Sequence, residues 1–167
     1  MSVGLQLWTA MRAAFYATTF VLLWAWLALS VRPLDDRFGW SLPAWAPPLG
    51  VVLAAAGGAL ALACVVVFVS AGRGTPAPFD PPREFVAVGP YRTVRNPMYV
   101  GGLAVLLGSG LILRSVAIVG LALVFWGVAH LFVLLYEEPT LERTFGHSYL
   151  AYKERVHRWW LTWRRPG

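Results

Sequence analysis

Four runs without a charged residue, 13–31, 49–71, 98–113 and 115–136, divide this chain of 167 residues. At about 1.5 Å per residue, a helical run of this size approaches or exceeds a hydrocarbon layer of about 30 Å. Within lipid the backbone must satisfy its own hydrogen bonds, which makes the helix the natural way across. The chain is 58% hydrophobic and 13% charged, with a mean hydropathy of +0.61, where a soluble domain carries about 25% charged residues. The expectation is an all-α integral membrane protein with about four transmembrane helices. It forms a single membrane domain over residues 1–167, with spans near 13–31, 49–71, 97–113 and 115–136.

The first run is longer than the apolar stretch of a cleaved leader, about 7–15 residues, and Ala28-Leu29-Ser30 continues into bulky Val31 and Arg32. It reads as a membrane helix. Residues 32–48 hold four prolines with Trp40 and Trp45 and read as a loop with aromatic residues at the interface. In the second span, small residues four apart, Ala54 with Gly58 and Gly57 with Ala61, predict close helix packing. Residues 72–96 form a long polar loop too rich in Gly and Pro for a regular helix, and long ordered loops tend to carry function. Asn96-Pro97 then supplies a favoured N-cap and a favoured first helical residue. The third run has sixteen uncharged residues, so Arg114 is expected to snorkel at its far end and to sit in a tight hairpin leading to the fourth.

Residues 137–167 form a C-terminal amphipathic segment. Leu141, Phe145, Tyr149, Tyr152 and Val156 make one stripe, Gly146 is a candidate break, and Trp159, Trp160 and Trp163 among arginines resemble an interfacial anchor. Of fourteen basic residues, eleven fall on the side shared by both termini and the central loop, and Arg32, Arg37 and Arg114 on the other. The excess makes the first side cytoplasmic, and the arginine-rich composition fits a bacterial inner membrane. The net charge of +6 is thus accounted for by topology, with no nucleic acid partner. The single cysteine, Cys64, reads as a buried inert thiol, and no His and carboxylate spacing predicts a metal.

Chemistry is expected at one interface. The helix starting at Pro97 points its unpaired amides toward Arg92 and Arg95, a place for an anion. Glu137 and Glu138 end the next, antiparallel span and return to the same boundary, a place for an ammonium or sulfonium group. Together they suit a zwitterionic amino-acid moiety such as that of S-adenosylmethionine. Equally, Arg95 and Glu138 pair only with each other and pin the hairpin. His130 is the one ionisable residue well inside a span, seven residues before Glu137 and on nearly the same helical face. It is read as facing the pocket, against a structural hydrogen bond, while His147 and His157 are read as facing solvent.

Gly89-Pro90-Tyr91, then Arg95-Asn96-Pro97-Met98-Tyr99 and Gly101, then Glu137-Glu138 with Leu141, Phe145-Gly146, Tyr149, Tyr152 and Val156, resembles the isoprenylcysteine carboxyl methyltransferase and phospholipid methyltransferase family of membrane enzymes. The likeness covers roughly residues 72–160. It implies a helical membrane fold with a cytosolic S-adenosylmethionine pocket, formed by the loop before the third span and the C-terminal amphipathic helix. By that likeness Tyr91, Arg95, Asn96, Pro97, Tyr99, Gly101, Glu137 and Glu138 line the cofactor site. Arg95 and His130 are the candidate catalytic groups. One departure is Asn96, where the family commonly has His; Asn hydrogen-bonds but cannot titrate.

The function expected is transfer of a methyl group from S-adenosylmethionine to a lipidic or small hydrophobic acceptor, a carboxylate, amine or thiol arriving from the bilayer. Two other readings stand beside it: an NADPH-dependent membrane reductase of related fold, and a non-enzymatic scaffold with a degenerate pocket.

Overall fold

The computed structural model describes residues 3–72 and 86–162, and among them every regular element is helical. The chain builds α1 (Val3–Val31), α2 (Pro33–Phe38), α3 (Ala46–Val67), α4 (Pro97–Ile112), α5 (Val116–Phe132), α6 (Glu138–Phe145) and α7 (His147–Arg155). A π-helical turn, Phe68–Gly72, extends α3, a second, Val133–Glu137, joins α5 to α6, and a 3₁₀ turn, Gly89–Arg92, precedes α4. Three helical stretches are long and apolar enough to cross a membrane, Ala14–Phe38, Ala46–Ser70 and Val116–Phe145. The shorter Pro97–Ile112 accompanies them; its 16 residues rise about 24 Å. Of the basic residues used in the topology argument, Arg73, Arg83, Arg164 and Arg165 lie outside the described residues, as do Trp163 of the expected anchor and residues 73–85 of the polar loop.

The seam between α3 and α4 is made of absent side chains. A Cβ on Gly50 would lie 2.6 Å from the Gly108 carbonyl oxygen, and one on Gly57 would lie 2.6 Å from that of Gly101. Reciprocally, Gly101 meets Gly57 and Ala61, and Gly108 meets Gly50 and Ala54. Two backbones therefore touch along seven-residue intervals on both helices, as small-residue packing in lipid allows. The expected pairing of Ala54 with Gly58 is half right. Ala54 lies in the seam, whereas a Cβ on Gly58 would meet nothing within 4 Å.

Beside this pair, Ala28, Leu106, Ile118, Ala122 and Phe125 form the core between α1, α4 and α5, with the Trp24 ring edge-on to Phe125 at 4.8 Å. Large apolar side chains elsewhere on α1, α3 and α5, including Leu22, Leu62 and Leu123, are exposed in the isolated chain and make a lipid-facing surface.

At the end far from Glu138, residues 32–48 are more ordered than a loop. Pro33 opens α2, Gly39 closes it at φ 67°, and Asp35 accepts a 2.9 Å hydrogen bond from the Ala117 amide at the start of α5. The proline that breaks the span also starts the short helix, which a reading of Pro as a breaker alone overlooks. Arg114, at φ 53°, turns the α4–α5 hairpin; its guanidinium donates to the Leu42 carbonyl and to Ser41 Oγ. It ties down the α2–α3 connection as well as reaching the boundary. Ser115 caps α5 through a 3.0 Å bond from the Ile118 amide.

Because the seam admits no Cβ, Gly57→Ala should lower unfolding free energy in detergent by about 1–3 kcal/mol, the scale of overpacking. Gly58→Ala, one residue away, should be neutral or slightly stabilising through helix propensity. Equal losses in thermal unfolding would refute the seam.

Candidate active site at the α5–α6 junction

Three segments meet at the end of the bundle where α4 begins. The first runs from Val86 to Asn96. Gly89, at φ 58°, turns the chain, and the buried Tyr91 ring packs with Cys64, Val86 and Phe68, edge-on to Phe68 at 5.3 Å. This pins the loop to α3. Cys64 is fully buried there.

The second segment is the junction of α5 with α6. The stripe expected from sequence is present: Tyr149, Tyr152 and Val156 are buried together against Leu141, Phe145 and Ala87. Gly146, at φ 49°, does break the segment, separating α6 from α7 and folding α7 back over the loop. Tyr152 Oη donates to the Tyr91 carbonyl at 2.6 Å.

The third is the tail, residues 156–162. The Arg95 amide donates to the His157 carbonyl at 2.9 Å, and the Thr162 amide to the Thr93 carbonyl at 2.7 Å. The His157 amide reaches Thr162 Oγ1 at 3.0 Å, closing the tail into a small loop. Asn96 does not cap α4 with its side chain. Its Nδ2 instead donates to the Arg158 carbonyl at 3.2 Å. Fixing the tail needs only a donor, so this role does not call for a titrating group at that position.

Glu138 lies at the centre, 4% exposed. Arg95 Nη1 reaches its Oε1 at 2.7 Å. Arg158 grips both oxygens, Nε to Oε1 at 2.7 Å and Nη2 to Oε2 at 2.8 Å. Lys153 Nζ is 3.6 Å from Oε2 and pairs also with Glu142. The pair of Arg95 with Glu138 that the spacing allowed is thus present, and Arg158 joins it.

Glu137 is held differently. Among the described residues its one hydrogen bond comes from Tyr99 Oη to Oε2 at 3.1 Å, and no cation pairs with it. Arg95 Nε, in turn, is buried without a hydrogen-bond partner among the described residues. The first turn of α4 beside it has no side-chain cap.

The other sequence-predicted residues fall into two groups. Pro97 is fully buried at the start of α4, while Gly101 faces Gly57 and Ala61 in the α3 seam. His130 Nδ1 accepts a 3.0 Å hydrogen bond from Trp159 Nε1, and that indole packs on Trp126 with ring centroids 4.4 Å apart. The π turn between His130 and Glu137 shifts their relative phase from that of a continuous α-helix. His147 and His157 are exposed, as expected. Trp159 is half-buried on α5, so of the described tail tryptophans only Trp160 stands exposed as an anchor would.

A family model described as phospholipid methyltransferase matches residues 45–148, more than half of the chain. The chain belongs to that family. No curated protein and no solved structure was found to match it. Membership makes this a membrane methyltransferase, and among the described residues of this methyltransferase no group of His, Cys, Asp and Glu could hold a metal. The matched stretch contains Arg95, Tyr99, Glu137 and Glu138 and stops before Tyr149, Tyr152, Arg158 and Trp159. Sequence reasoning gave Arg158 no part in the site. Its only signal was a basic residue beside the tryptophans, which an interfacial anchor explains equally well.

Burial holds the Tyr91 and Tyr152 phenols well above their ordinary range and pushes Tyr149 up to about 12, the last also through the nearby Glu138 carboxylate. These hydroxyls therefore remain protonated donors around neutral pH. A phenol whose folded value exceeds its unfolded value of about 10 contributes stability that is complete below pH 10 and is lost as pH rises toward 12. Unfolding measured from pH 9 to 12 should show this alkaline loss, and Tyr149→Phe should reduce it; an unchanged slope would contradict the burial.

Glu138→Ala leaves Arg95 buried without its partner and should cost about 3–5 kcal/mol in unfolding free energy. Glu142→Ala removes only the half-exposed pair with Lys153 and should cost less than about 1 kcal/mol. Similar losses for the two variants would place the weight of the network elsewhere.

Proposed function

We infer that the junction of α4, α5 and α6 binds S-adenosylmethionine, and that the protein transfers its methyl group to a lipidic or small hydrophobic acceptor entering from the bilayer. One observation carries this reading: among the described residues, the buried Nε of Arg95 lacks a hydrogen-bond partner beside an uncapped helix N-terminus, and the neighbouring carboxylate Glu137 has no cation paired with it. An anion position and a cation position are what the amino-acid end of the cofactor requires.

On this reading Arg95 and the first amides of α4 take the carboxylate, and Glu137, oriented by Tyr99, takes the ammonium or sulfonium. Glu138 acts on the ligand through Arg95, which it orients. Tyr91, Asn96, Pro97 and Gly101 set the path of the loop and the start of α4 through their contacts with α3 and the tail. The cofactor supplies an electrophilic methyl group on sulfur. The chain's own contribution is alignment and exclusion of water, and proximity of that kind is worth about 7–11 kcal/mol of a barrier. A carboxylate or thiolate acceptor needs no base, whereas an amine must be neutral to attack.

The excess of basic residues at this end of the bundle supports a cytoplasmic placement of the site and of both termini, in a bacterial inner membrane. It supports a single membrane domain that meets lipid on its apolar faces and takes its acceptor from there. The reductase reading gains nothing specific from the geometry, since Arg158 and one nitrogen of Arg95 are committed to Glu138.

Calorimetric titration of the detergent-purified protein with S-adenosylmethionine, S-adenosylhomocysteine and NADPH tests this. The two adenosyl compounds should bind, and Glu137→Gln and Arg95→Ala should each weaken binding about tenfold or more. Binding of NADPH alone would establish the reductase instead, and a folded protein that binds none of them would be a scaffold.

A further inference from the structure

Two adjacent residues of the tail reach two different places on one helix. Arg158 forks onto Glu138, while Trp159 donates to His130, eight residues nearer the start of α5. Between those places lies the π turn Val133–Glu137, and Glu137 sits at its end. The backbone around both tail residues is fixed to the loop that carries Arg95. The His157 carbonyl takes the Arg95 amide, the Arg158 carbonyl takes Asn96 Nδ2, and Thr162 returns to Thr93.

We propose that residues 156–162 form a clasp in which Arg158 and Trp159 are positioning residues, coupling the polar cluster at Arg95 and Glu138 to the side chain of His130. The second part rests on the reading of the cluster as a cofactor site: its occupancy then sets the orientation of an imidazole deeper in the bilayer, on the side from which an acceptor would arrive.

An indole N–H can only donate, so Nδ1 of His130 is the acceptor in this contact. Trp159 thereby orients the imidazole, and its indole also packs on Trp126. Arg158 and Trp159 are joined by one peptide unit whose flanking backbone is held by Thr93, Arg95 and Asn96, so the placement of Arg158 on Glu138 constrains where Trp159 can sit.

Tyr152 buttresses the arrangement by holding Tyr91 from α7, and Val156 anchors the start of the clasp in the cluster of Tyr149 and Tyr152. Trp160 and Leu161, exposed at the tip, make no part of the coupling.

The test follows His130 by imidazole ¹⁵N–¹H correlation in the full-length protein, with His147→Gln and His157→Gln used to assign the three histidines. The wild type should show an acceptor Nδ1 and a protonated Nε2. Trp159→Phe removes the indole donor, along with part of its packing on Trp126, and should abolish that signature. Arg158→Ala should perturb the His130 signal in the same direction although Arg158 does not touch it, and Arg158→Lys should restore it in part. If Arg158→Ala does not fold, Asn96→Ala, which frees the Arg158 carbonyl, serves in its place.

A His130 signal identical to wild type in a folded Arg158→Ala or Asn96→Ala protein would overturn the clasp. Titration with S-adenosylhomocysteine then separates the two readings. The ligand should shift His130 in the wild type but not in Trp159→Phe, whose affinity should fall at least about fivefold, the low end of coupling between sites. Absence of binding to the wild type would end the cofactor reading, while the ligand-free comparison of variants still decides whether the clasp exists.

Discussion

A carboxylate buried at the end of a membrane helix has to be matched by cations and hydrogen bonds, because its desolvation costs several kcal/mol. Glu138 meets that demand by drawing in three separate parts of the chain. Arg95 comes from the loop before α4, Lys153 from α7 and Arg158 from the tail. None of these segments shares a helix with Glu138, so satisfying one charge dictates how the loop, the returning helix and the tail are arranged. The glycine seam between α3 and α4 has the complementary role. It contains no polar group of consequence, yet by letting two backbones touch it sets the position of the α4 N-terminus beside that carboxylate.

The two adjacent glutamates are consequently unlike. One is surrounded by guanidinium and ammonium groups, and the other carries a phenol and, among the described residues, no cation. The π turn contributes to this division. An extra residue in the helical turn changes the direction in which the side chains beyond it project, placing Glu138 toward the loop arginine and tail while Glu137 meets Tyr99 on α4. Such turns occur often at functional sites, and here one separates a carboxylate that organises the cluster from a carboxylate with remaining capacity.

Much of this architecture was legible in the sequence because it depends on local rules. Uncharged runs located the spans, Pro97 marked the start of α4, and a stripe at three- and four-residue spacing predicted that Tyr149, Tyr152 and Val156 would share a face. The family likeness brought Arg95 and the glutamate pair together before any coordinates. What escaped was non-local. Nothing in the tail's composition distinguishes an arginine that forks onto a buried carboxylate from one that lies among headgroups, and nothing in an apolar run marks the five residues that take up a π turn. Asn96 shows the same limit. It stands at a favoured N-cap position, but its amide is directed to a carbonyl sixty-two residues away. Residues 33–38 were missed for another reason: a short helix opened by proline has the composition of a loop, and only its contact with the first turn of α5 reveals what orders it.

The contrast between the two ends of the bundle follows from how helix termini are satisfied. At one end Ser115 and Asp35 supply acceptors to the first amides of α5, and the Arg114 guanidinium donates to the Leu42 carbonyl and to Ser41 Oγ. Those groups complete the helix and its connection. At the other end the side chain best placed to cap α4 is turned away to hold the tail, and Nε of the arginine next to it is buried without a partner among the described residues. A fold that caps one end and withholds the cap at the other retains donor capacity beside α4. In lipid-bounded surroundings, where unmatched polar groups are costly, donors left open beside α4 are the feature on which the proposed anion position rests, and the Asn96 bond that leaves them open depends on the tail.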